Sequence, residues 1–124
     1  MTKKRILLGA MIMAAMAATA FAADVTGTWT ASFDTQVGKQ SYTYTFKVDG
    51  TKLTGKAKSE LAMTETDITE GTVNGDDISF VENLNYQGMP LKIVYKGKIA
   101  GDEIKFTRTI LDMIMEELVA KRVK

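Results

Sequence analysis

From Thr26 onward, apolar side chains recur at every second position, the period of a half-buried β-strand rather than of a helix. The segment 41–48 shows this most clearly. Tyr42, Tyr44, Phe46 and Val48 share one face, and Ser41, Thr43, Thr45 and Lys47 share the other. Aromatic and β-branched residues suit a pleated surface with one buried side. Asp49-Gly50 follows directly, a strong hairpin signal when flanked by alternation. The punctuation then repeats. Val48-Asp49-Gly50, Val73-Asn74-Gly75 and Ile99-Ala100-Gly101 are spaced 25 and 26 residues apart, and the residues after each glycine also match. Such a hairpin repeat is too short to form separate domains.

The pattern predicts eight strands, at 27–34, 41–48, 51–59, 65–73, 77–84, 91–99, 103–110 and 115–123. A further turn is expected at Gln87-Gly88-Met89-Pro90. Ile68 and Val73 have opposite parity, which predicts a bulge near Glu70-Gly71. Leu111 to Val123 is rich in helix formers, but a strand is the better reading because a closed barrel needs an eighth. Each hairpin has one apolar face that it cannot bury alone. A meander curled on itself buries those faces and removes the sheet edges. The expected fold is therefore all-β, an eight-stranded antiparallel up-and-down barrel.

The first 23 residues do not fit this pattern. Lys3, Lys4 and Arg5 precede a nearly unbroken apolar run from Ile6 to Ala20, followed by Ala20-Phe21-Ala22. This is the layout of a secretory signal peptide with its cleavage site, and the run is short for a membrane span, which needs about 20 residues. The expected division is a signal peptide over 1–23 and one barrel domain over 24–124. The expected location is periplasmic or secreted, with no membrane association after cleavage. Without the three basic residues of the signal, 13 basic residues stand against 15 acidic ones. That balance offers no footprint for nucleic acid.

The chain has no cysteine and no histidine. Histidine-based acid–base chemistry, Ser-His-Asp and Cys-His nucleophiles, and the usual zinc sites are thereby excluded. No cofactor or metal is implied. Asp76-Asp77 and Asp102-Glu103 fall in turns but lack the spacing of a calcium loop.

Gly27-Thr28-Trp29 at the start of the first strand, with Arg122 near the end of the last, resembles the calycin superfamily of lipocalins, fatty-acid-binding proteins and avidins. The resemblance implies a tryptophan that closes one barrel end and an arginine packed across it, a contact favoured by cation–aromatic attraction. Lys47-Val-Asp-Gly-Thr-Lys-Leu-Thr-Gly-Lys56 and Gly101-Asp-Glu-Ile-Lys-Phe-Thr-Arg108 also resemble a group of small secreted bacterial domains, some found beside glycoside hydrolases. The chain departs from lipocalins in being shorter and lacking their disulfide. It departs from avidins in having a single tryptophan.

Parity places Glu82, Tyr95 and Arg108 on inward faces of three consecutive strands. If Ile99 pairs with Ile104, Tyr95 faces Arg108 and Glu82 falls one strand further. A lone buried charge is very costly, so the three are expected to converge. Three readings follow. In the first, Glu82 and Arg108 form a structural ion pair inside a filled barrel. In the second, Arg108, Tyr95 and Glu82 anchor a small molecule or carbohydrate, with Tyr42, Tyr44, Phe46, Phe80 and Phe106 as an apolar lining; arginine beside tyrosine resembles the carboxylate anchor of fatty-acid-binding barrels. In the third, a glycoside hydrolase-type enzyme uses Glu82 with Glu65, Asp67 or Glu70 as a second carboxylate. The second reading, a non-catalytic small-ligand or carbohydrate-associated binding module, is the leading expectation. The lysines at 47, 52, 56, 58, 92, 96, 98 and 105 fall on outward positions and read as a solvated surface. Gly55 is expected opposite Tyr44, Gly97 near Phe106 or Ile78, and Met113 and Met115 in the core or as an end cap.

Overall fold

A computed structural model describes residues 24–124 of the chain. The signal peptide expected over 1–23 lies outside the described residues. Eight strands follow in order: β1 (Gly27–Thr35), β2 (Gly38–Asp49), β3 (Lys52–Ser59), β4 (Thr64–Asn74), β5 (Asp77–Tyr86), β6 (Met89–Ala100), β7 (Glu103–Ile110) and β8 (Ile114–Arg122). Each pairs antiparallel with the next, and β8 returns to β1, so the sheet closes into a barrel. The all-β, up-and-down architecture is as the alternation implies. The final segment is a strand despite its helix-forming composition, because Leu118 and Ala120 are needed in the core.

Local differences have local causes. β2 starts at Gly38 because Gln36-Val37 makes a tight turn and Thr35 pairs at once with Gly38. Met89 and Pro90 already belong to β6, opposite Tyr86 and Asn85, so the turn there is only Gln87-Gly88. The expected irregularity in β4 is present: its register against β5 shifts between Thr69 and Thr72, and Glu70 has φ 53°. The same extra residue of β4 shifts its register against β3, between Leu53 and Lys56. Gly55 lies opposite Phe46, not Tyr44, because the Gly50-Thr51 turn pairs Asp49 with Lys52. Gly97 sits between Ile78 and Phe106, as expected.

One end of the barrel is plugged. Trp29 is fully buried, and its indole N–H donates to the Val25 carbonyl at 2.9 Å. The Arg122 guanidinium lies 4.5 Å from the Trp29 ring centroid. It donates to the carbonyls of Thr26 and Asp24 and to the Asp102 carboxylate. Above this plug the interior is filled with rings. Tyr42, Tyr44 and Phe46 stack along β2 at 5.4 and 5.8 Å. Phe80 stacks on Tyr95 at 4.3 Å, and Phe106 meets both edge-on. Each such buried aromatic stabilises the fold by about 1.5–3 kcal/mol from apolar area alone. The named lysines all point outward and are exposed.

The close approach of β3 to β2 depends on glycine. Gly55 has φ 151°, and a Cβ built there would lie 1.8 Å from the Thr45 carbonyl oxygen. Gly50, in the turn at φ 64°, would meet nothing within 4 Å. Gly55→Ala is therefore expected to cost about 2–4 kcal/mol, and Gly50→Ala only about 1 kcal/mol. Urea midpoints of the two variants check this; equal losses would contradict a close backbone approach at Gly55.

Candidate functional site

Below the other end of the barrel the interior turns polar. Arg108 on β7 faces Tyr95 on β6 and Glu116 on β8 in the ladder, and Glu82 on β5 faces Ile93 on β6. All four side chains point inward. Arg108 Nη1 donates to the Tyr95 hydroxyl at 2.7 Å, and its Nε donates to Glu116 Oε1 at 2.9 Å. Tyr95 in turn donates to Glu82 Oε1 at 2.8 Å, and Tyr42 donates to Glu82 Oε2 at 2.9 Å. Tyr44 donates to the Tyr95 oxygen at 3.0 Å. Three rings surround the guanidinium, with centroids at 5.0 Å for Phe33, 5.1 Å for Tyr42 and 5.5 Å for Tyr95.

The sequence placed Glu82, Tyr95 and Arg108 together, and they do converge. The predicted ion pair is different. Arg108 pairs with Glu116, whereas Glu82 reaches it only through Tyr95. The alternation of β8 held the signal for Glu116: with Leu118 and Ala120 inward, position 116 must also be inward.

Burial sets the electrostatics. It pushes the Glu82 carboxyl above its ordinary range, against the Arg108 charge and the two tyrosine hydrogen bonds. Burial first, and the Glu82 charge second, raise Tyr42 to about 12. Tyr44 and Tyr95 lie well above their ordinary value for the same leading reason. Desolvation opposes the charge of Arg108, but the oxygens of Tyr95 and Tyr42 outweigh it and hold the guanidinium protonated.

A half-open cavity of about 230 Å³ sits over this cluster. Gln40, Ser59, Arg108 and Glu116 contribute its polar part, and Leu84, Leu91, Ile110 and Ile114 much of its apolar wall. Four turns form its mouth: Gln36-Val37, Glu60 to Met63, Gln87-Gly88 and Leu111 to Met113. Large apolar side chains stand exposed around it, including Val37, Leu61, Met63, Met89, Leu111 and Met113. Met113 and Met115 are 76% and 70% exposed, so they are neither core nor plug. Of the residues named from the sequence as ligand contacts, Arg108 lines this cavity. Glu82, Tyr95, Tyr44, Phe80 and Phe106 lie beneath it in the packed interior.

The backbone differs between the two ends. Turns at the plugged end place Gly50, Gly75 and Gly101 in the left-handed region. At the mouth, Met63, Gln87, Leu111 and Asp112 adopt it with φ of 52–57°. A side chain in that region costs of order 1–3 kcal/mol, and such strain clusters at functional sites.

Glu65, Asp67 and Glu70 are exposed on the outer side of β4, away from the fully buried Glu82. They do not form a carboxylate pair with it. Asp77 is paired with Lys98, and Asp102 with Arg122 and Lys124. Among the described residues, no three acidic side chains gather as a metal site.

Fold and cluster define a class: a closed eight-stranded up-and-down barrel, plugged at one end and holding a buried polar network under an apolar mouth. No protein-family model, curated protein or solved structure matches this chain.

The raised Glu82 has a stability consequence. A carboxyl whose pKa is higher in the folded state stabilises the fold fully only below its unfolded value, near 4.5, and that stability is lost as pH rises through the folded value. Glu82→Gln removes this loss. Its unfolding free energy relative to wild type should therefore climb from about pH 4.5 upward and then level off. Urea unfolding of both proteins between pH 4 and pH 7 measures the difference; a difference that falls with pH would contradict a carboxyl raised by burial.

Proposed function

We propose that this protein is an exported, non-catalytic barrel of the calycin type that binds a small, largely apolar molecule in the mouth cavity. The observation that carries the reading is the cavity itself: one end of a barrel otherwise filled with rings stays open, over a polar floor. Ligand sites are concave, mostly apolar and carry a few placed polar groups. At about 230 Å³ this one is smaller than the roughly 300 Å³ at which drug-sized pockets begin. The strained turns and the exposed methionines at the mouth support the same end as the functional one. Methionine suits an adaptable apolar contact.

A carbohydrate fits less well, because its hydroxyls would face Leu84, Leu91, Ile110 and Ile114 without partners. The hydrolase reading has little support, since Glu82 is sealed beneath the rings and both its oxygens accept tyrosine hydrogen bonds. Export rests on the pattern of residues 1–23.

The test is a two-dimensional amide NMR titration with 1-octanol, a neutral probe small enough for the cavity. Saturable shifts should cluster at residues 35–40, 59–63, 89–91 and 110–116, and spare Trp29 and Arg122. Ala62→Trp, which fills the cavity from its wall, should abolish them while leaving the rest of the spectrum intact. No saturable shift, or shifts centred on the Trp29 end, would overturn the proposal.

A further inference from the structure

Resting on the reading of the mouth cavity as a binding site, we propose that its ligand carries a cationic, hydrogen-bond-donating head, a protonated amine on an apolar chain, and not a carboxylate. Three observations lead there.

The first is which charge faces the cavity. Among the described residues, Arg108 and Glu116 are the only charged ones in its lining. Arg108 is 1% exposed and the Glu116 side chain 9%, so the acidic partner presents more surface. Two of the three guanidinium nitrogens are engaged by the protein. Its Nε is held by Glu116, its Nη1 by Tyr95, and three rings lie around it.

The second is the balance of charge. Two inward carboxylates, Glu82 and Glu116, share one guanidinium. An incoming anion would place a further negative charge beside Glu116 in a desolvated site. A cation would offset the excess.

The third is the set of acceptors left open. Glu116 Oε1 receives Arg108 Nε, while Oε2 has no hydrogen-bond partner among the described residues. The side chain is nine-tenths buried and lines the cavity. Gln40 supplies a second acceptor, and its orientation is fixed. The Thr35 hydroxyl donates to the Gly38 carbonyl at 2.7 Å, so its oxygen can only accept from Gln40. Gln40 must therefore turn its amide nitrogen to Thr35, at 3.3 Å. That leaves the Gln40 carbonyl oxygen without a described partner in a residue that is 6% exposed and part of the lining. Neither oxygen is fully buried, so each can be reached by a donor in the cavity. An ammonium has three donors and no acceptor, which matches this floor. The apolar chain then runs outward past Leu84 and Ile114 toward the exposed methionines.

The experiment compares three probes of equal chain length, octylamine, 1-octanol and octanoate, by titration at pH 7 against the purified protein expressed from its full-length chain. The expected order is octylamine tightest, with at least about a ten-fold advantage over octanoate, since a like charge brought into a desolvated site is strongly disfavoured. Glu116→Gln should cut that ratio to within about two-fold. Gln40→Leu keeps the ion pair intact and should weaken octylamine without strengthening octanoate, so the inference stays testable if Glu116→Gln does not fold. If 1-octanol and octylamine both fail to bind, the cavity is not a ligand site and the reading beneath this one fails. If 1-octanol binds but octanoate equals or exceeds octylamine, only the head-group inference is overturned.

Discussion

A guanidinium inside a barrel is tolerable only if its surroundings are built for it, and the placement of Arg108 constrains much of this molecule. Moving an isolated ion from water to the interior costs far more than a domain's whole net stability. The chain meets this by surrounding Arg108 with groups from β1, β2, β5, β6 and β8: the rings of Phe33 and Tyr42, the Tyr95 hydroxyl, the Glu116 carboxylate and, one bond further, Glu82. The tyrosines are the connectors. Tyr95 accepts from Arg108 and Tyr44 and donates to Glu82. A network of this kind stabilises only when complete, because each member removed strands another in low dielectric.

The network also divides the barrel into two unlike halves. Beneath it, rings fill the space down to Trp29 and Arg122, and the turns use glycine where the backbone is left-handed. Above it lies the cavity, bounded by turns that hold methionine, glutamine, leucine and aspartate in the same backbone region, with apolar side chains facing outward. One half has the economy of a structural core. The other keeps left-handed turns without glycine, exposed apolar side chains and open acceptors around the cavity.

Much of this was legible in the sequence, for a physical reason. A strict period of two fixes which side chains point inward, and tight Asp-Gly and Asn-Gly turns fix the register. Together they brought Tyr95 opposite Arg108 and Glu82 beside them. The β4 bulge was legible from the parity clash between Ile68 and Val73. Where the reading fell short, it was because pairing across non-adjacent strands does not follow from turns. Tyr42 reaches Glu82 across the barrel lumen, a contact set by closure and ring length. Glu116 shares the inward face of β8 with Leu118 and Ala120, so the parity of the expected strand at 115–123 carried its signal. The cavity was misplaced for a related reason. Parity tells that five rings point inward but not that they fill the space between them, so the opening lies beyond them, at residues 35–40 and 110–116.

Arg108 and Glu116 act as one buried unit that holds the floor of the cavity. A double-mutant cycle of Arg108→Leu and Glu116→Leu, read by urea unfolding at pH 7, measures their coupling. Arg108→Leu alone should cost about 3–5 kcal/mol, and the double variant should be more stable than the sum of the singles by about 2 kcal/mol or more. Effects that add to within about 0.5 kcal/mol would mean that the two side chains act independently.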